Sequence, residues 1–94
     1  MNEQITLIAT TSEGNSFDRV VNEKKNTVFC TKHSVSQREF FDANSAGLKA
    51  ELKFKLWTQD YNGELKAEYN GKRYKVYRTY ENFDTTEIYL ASEG

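Results

Sequence analysis

The chain has 94 residues, with thirteen Lys plus Arg against fourteen Asp plus Glu and a formal charge of −1. A chain of this length suits one domain, residues 1–94, that buries about 65% of its unfolded surface without staples, and its charge supplies no global positive field to recommend a tight nucleic-acid binder. Cys30 has no second cysteine to pair with, no secretory apolar segment is evident, and no apolar run approaches the ~18 residues of a membrane-spanning helix, so the expectation is an intracellular domain with no membrane partner.

Aromatic residues make up 14% of the chain and proline is absent, which suits strands rather than disorder. Residues 3–10, EQITLIAT, alternate with Ile5, Leu7 and Ala9 on one face, the period of a half-buried strand. TTSEGNSFD, residues 10–18, then has turn chemistry. A second extended segment covers residues 19–33, interrupted by the polar NEKKN and resuming at residues 27–32, where Val28 and Cys30 share a face. SVSQREFFDANSAGLK loses the two-residue period, and Ser36 followed by Glu39 has the spelling of a capping box, so a short helix is expected over 37–46. Gly47 stands where a left-handed cap residue belongs, with Leu48 just beyond it.

Ala50, Leu52, Phe54 and Leu56 define the core face of the clearest strand, with Glu51, Lys53, Lys55 and Trp57 opposite. Residues 60–63 reverse the chain loosely. Asn70-Gly71 is the spelling of a two-residue type I′ turn, which pairs residues whose numbers sum to 141: Leu65 with Val76 and Ala67 with Tyr74 on one face, Glu68 with Arg73 on the other. The last strand is expected at 87–91, with Ile88 and Leu90 inward. The elements add up to an all-β fold, a small, partly open antiparallel β-barrel of about six strands, with one short helix or ordered loop inserted between the second and third.

Catalytic and metal chemistry find little to work with. Cys30 and His33 have a spacing a metal could use, but zinc needs three or four ligands and no further Cys or His exists. On one strand they point to opposite faces, which does not favour a nucleophile–base pair. With no phosphate loop and no nucleophile elbow, the expectation is a non-enzyme without metal or cofactor. Two surfaces remain. Lys53, Lys55, Trp57, Arg73, Lys75 and Tyr77 interleave cations with rings on the outward face of the C-terminal strands, a composition that fits a subunit or partner interface, or single-stranded nucleic acid held by stacking. The insertion 36–48 is longer than a strand connection requires, and its adjacent Phe40 and Phe41 cannot both face the domain's own core.

The succession SVSQREFF ahead of GLKAELKFKLW, then DYNGE, YNGKRYKVYRTY and a closing EIYL, resembles the head-closure proteins of long-tailed bacteriophages, also called head-tail joining or stopper proteins, over nearly the whole chain. The resemblance implies a virion structural protein, assembled in the host cytoplasm of a phage or from a prophage, that self-associates into a ring, expected to be dodecameric, at the head–tail connector. Its implied partners are the adaptor protein on the portal, a tail-completion or tail terminator protein, and the end of the double-stranded DNA in the channel. The plug would be 36–48, with Ser36, Gln37, Arg38, Glu39, Phe40, Phe41 and Leu48; two alternatives stand for the lining, repulsion that eases sliding of the DNA or Arg38 or Lys49 holding its end. In the free protein this segment is expected to be mobile.

Overall fold

The computed structural model describes residues 1–13 and 20–92. Six strands, β1 (Glu3–Glu13), β2 (Val20–His33), β3 (Ala50–Trp57), β4 (Lys66–Tyr69), β5 (Lys72–Asn82) and β6 (Thr85–Ser92), form an antiparallel barrel, with one helix, α1 (Gln37–Ser45), between β2 and β3 and a single 3-10 turn at Thr58–Asp60. The order around the cylinder is β1-β2-β3-β6-β5-β4, and it is closed rather than partly open. Closure rests on three pairs between β1 and β4: Thr6 with Glu68, Leu7 with Ala67 and Ile8 with Lys66. Closing the cylinder satisfies edge groups that an open sheet would leave exposed.

The inward alternation is as the sequence predicts. Ile5, Leu7, Val28, Cys30, Phe54, Leu56, Ala67, Tyr74, Val76, Ile88 and Leu90 form one buried cluster, on which Leu52, Tyr61 and Tyr69 pack. The Phe54 and Tyr69 rings lie 4.8 Å apart. Six strands enclose less than the eight whose interior side chains just fill, so the cylinder is solid. Ile8 breaks the pattern: outward by parity, it is only 1% exposed, at the border of a cleft it shares with the 62–66 segment.

The hairpin register sums to 141 as expected, from Lys66–Lys75 to Tyr69–Lys72, and the turn has Asn70 at φ 52° and Gly71 at φ 77°, the left-handed pair that a type I′ turn requires. Leu65 is a correction. Its carbonyl still accepts from the Val76 N–H, but it precedes β4 at the barrel's end, where no inner wall faces it, and it is 71% exposed while Ala67, Tyr74 and Val76 are buried.

Two further expectations change along β1 and β2. Turn chemistry from residue 10 gives way to strand as far as Glu13; the rest of that turn and Arg19 lie outside the described residues. NEKKN does not interrupt β2. It continues the β1–β2 ladder through Thr11–Asn22, Thr10–Glu23, Ala9–Lys24 and Ile8–Lys25. Residues 22–27 are exposed because this part of β2 pairs with β1 alone and reaches β3 only from Cys30, so it forms a solvent-facing margin where a polar sequence is no obstacle to the ladder, even opposite the buried Leu7 and Ile8. Replacing the fully buried Phe54 by Ala should cost about 3–5 kcal/mol, read as a lowered urea midpoint with an unchanged slope.

Candidate functional site

The inserted segment is where sequence and geometry meet. The Ser36 hydroxyl accepts from the Glu39 N–H at 3.1 Å, half of the expected capping box. The other half is absent because the Glu39 side chain is used elsewhere. At the far end α1 stops at Ser45, one residue short of the expected Ala46. Gly47 N–H donates to Asn44 O at 3.0 Å and Leu48 N–H to Ala43 O at 2.9 Å, the bond pair of a Schellman cap, with Gly47 at φ 81°.

The helix buries only Glu39 and Ala43, four residues apart and so on one face. Phe40 and Phe41 are 42% and 59% exposed, so neither faces the core. Their rings meet edge to face at 6.1 Å. Gln37, Arg38 and Asp42 are exposed, with Arg38 Nε 3.9 Å from Asp42, and Leu48 is half-buried. An element with so small an apolar seat is held mainly by its polar contact.

That contact is made by a β-bulge. Between Val76–Leu90 and Arg78–Tyr89 the β5–β6 register slips by one, leaving Tyr77 as the extra residue. Regular alternation would send Tyr77 and Arg78 to opposite faces; the bulge turns both outward. The Tyr77 hydroxyl donates to Glu39 Oε2 at 3.2 Å and Arg78 Nη1 donates to Oε1 at 2.7 Å. Burial, then the nearby Glu39 charge, pushes the Tyr77 phenol up to about 12. Because its folded value lies above its unfolded one, near 10, this contribution is whole below pH 10 and is lost as pH rises through about 12.

Behind this latch Arg78 and Lys53 each lie 5.4 Å from the Tyr89 ring centroid, contacts of cation–π type. Lys53 Nζ is 3.1 Å from Glu87, and that hydrogen bond holds the Lys53 ammonium above its usual range.

The six expected interface residues do not form one surface. Lys53, Lys55 and Trp57 alternate along the outer face of β3, and Lys53 is joined to Tyr77 through Tyr89, whose ring lies 6.2 Å from that of Tyr77. Arg73 lies at the start of β5, opposite Glu68 of β4, where its guanidinium spans both Glu23 oxygens at 2.8 and 2.6 Å and holds the Glu23 carboxyl below its ordinary value, chiefly by that hydrogen bond. Lys75 stands opposite Lys66. The barrel completes rows that the sequence does not show. Lys55 pairs with Glu87, which pairs with Tyr80, and Trp57 pairs with Thr85. The Cys30–Leu56 register, continued one step, sets Phe29 opposite Trp57. Phe29, Trp57 and Tyr80 are 57%, 42% and 55% exposed. The alternation of Phe29 with the inward Val28 and Cys30 was the available signal.

Cys30 is fully buried and His33 exposed, so they do not converge. Among the described residues no group of three or more His, Cys, Asp or Glu is placed to hold a metal ion. Among the described residues no helix is long and apolar enough to cross a membrane. No family model matches the chain, and no curated protein matches it.

Two measurements follow. Burial, then Glu3, pushes the Cys30 thiol up to about 11, so a thiol reagent at pH 8 should label it only as the protein unfolds. In Glu39→Gln the Tyr77 phenol should ionise at lower pH than in the wild type, followed by NMR. An unchanged Tyr77 titration would mean that the latch does not form.

Proposed function

We propose that this chain is a head-closure protein of a long-tailed bacteriophage, a ring-forming structural subunit that sits between the portal-bound adaptor and the tail and occludes the DNA exit channel. One observation carries the reading: α1 lies wholly outside a filled barrel, seated through Glu39 and Ala43, and directs Phe40 and Phe41 away from it. A barrel that needs this helix for its own core would bury those rings. The blocks around SVSQREFF and YNGKRYKVYRTY, which carry the resemblance, are the two that the Glu39 latch joins.

In this reading the barrels make the ring wall, and α1 of each copy is the movable part. The transition is a segment rearrangement, in which contacts with adaptor, tail or DNA end compete with Tyr77 and Arg78 for the helix. The mechanism is steric and needs no cofactor. The virion is the place of action, the bacterial cytoplasm the place of assembly.

A second reading, a barrel that stacks single-stranded nucleic acid, is favoured by the exposed Phe29, Trp57 and Tyr80 beside Lys55. Against it, Lys53, Arg73 and Arg78 each engage a carboxylate, which leaves less charge for phosphate. Such binding would weaken steeply with salt.

Electron microscopy of connectors carrying the adaptor decides the first reading. The wild type should add a ring that closes the channel, and the double variant Phe40→Ser, Phe41→Ser should add the ring but leave the channel open. A wild type that ignores connectors, or a variant that still closes them, would contradict it.

A further inference from the structure

Between the solvent-facing margin of the β1–β2 ladder and the segment that follows the 3-10 turn lies a cleft of ≈ 480 Å³, lined by Ala9, Lys24, Lys25 and Asn26 from the ladder and by Asn62 and Glu64 from the segment. A second cleft, of ≈ 300 Å³, shares Ala9, Asn62 and Glu64 with the first. Clefts of this size with a few convergent polar groups are the usual form of a small-molecule site.

Glu64 is the residue out of the ordinary. The Tyr61 hydroxyl donates to its carbonyl at 2.7 Å and the Asn62 N–H donates to its Oε1 at 2.6 Å, with Gly63 between them at φ 79°, so the segment folds back on the side chain and fixes it. The residue is only 6% exposed, yet among the described residues nothing donates to its Oε2 and no cation pairs with it. Carboxylates buried to this degree are ordinarily paired, because leaving water penalises the charged form. Oε2 is not sealed inside the chain, and Glu64 borders both clefts, so its partner enters from outside.

The facing wall narrows the kind of partner. Lys25 lies 3.8 Å from Glu68, whereas Lys24, set opposite Ala9 in the ladder, forms no ion pair among the described residues. A ligand with only a positive charge would be repelled by Lys24, and one with only a negative charge by Glu64. A ligand that carries both meets an opposite charge on each wall, and the Asn26 and Asn62 amides can both donate and accept beside it. We propose that this cleft binds an amino-acid zwitterion, its ammonium on Glu64 and its carboxylate toward Lys24. A free amino acid and a short peptide present the same chemistry. The cleft shares no lining residue with the α1 latch, and the inference does not depend on the head-closure reading.

The test is an NMR titration of the isotope-labelled full chain at neutral pH with L-alanine and with L-alanyl-L-alanine, using propylamine and propionate as single-charge controls. At least one zwitterion should give saturable shifts of the Ala9, Lys24, Asn62 and Glu64 amides and bind about tenfold or more tightly than either control; the tighter of the two tells whether the source is a free amino acid or a peptide. Glu64→Gln keeps an oxygen for the Asn62 N–H and should lower the affinity about tenfold, and Lys24→Ala, at an exposed position, about threefold, each with an unchanged Tm. No saturable shift with either zwitterion, a control that binds as tightly, or a Glu64→Gln chain with wild-type affinity would overturn the proposal.

Discussion

Three residue pairs between β1 and β4 govern the rest of the molecule. By joining the first strand to the fourth they turn a six-stranded sheet into a cylinder, and a cylinder this narrow is filled by its own Leu, Ile, Phe and Tyr side chains. Nothing as wide as a helix, about 10 Å across with its side chains, fits within it. The insertion between β2 and β3 must therefore lie outside, and the same closure, which ends at Ile8, leaves the outer end of the β1–β2 ladder, from Thr10–Glu23 onward, running past the wall.

Outside, the choice of seat decides how firmly α1 is held. An apolar stripe would have fixed it as a permanent layer. The sequence instead places a carboxylate and a methyl on the inward face and two phenylalanines outward, and uses the Tyr77 bulge to bring a phenol and a guanidinium to that carboxylate. Charge-assisted hydrogen bonds of this kind are directional and can be exchanged for those of a partner, whereas an apolar contact of the same area is less selective. The bulge is thus tied to the helix: it re-aims a side chain where a straight strand would not.

Much of the fold was legible because local signals agreed with the global answer. The period-two pattern of β1, β3 and β6, the Asn70-Gly71 turn and the Ser36 and Gly47 caps each named its element, and the arithmetic of one turn fixed the β4–β5 register. The failures have physical sources. NEKKN reads as a break because polar residues on both faces look like a loop, and sequence does not show that this stretch of β2 has a neighbour on one side only. Leu65 read as core because parity says which face a side chain takes, not whether a wall stands opposite. The latch was hidden since a bulge is a property of two strands at once, and Glu39 and Arg78 are far apart in sequence.

The central claim is that α1 is a separable element on an independently stable barrel. Native-state hydrogen exchange on the free chain tests it most directly, comparing the amides of Phe40, Gly47 and Leu48 with those of Phe54 and Leu90. The account predicts that the first group exchanges by local opening, with a free energy well below that of unfolding and almost insensitive to denaturant, while the second opens only when the whole domain unfolds. If both groups shared one opening energy and one denaturant slope, α1 would be part of the barrel's cooperative unit, and the account would be wrong.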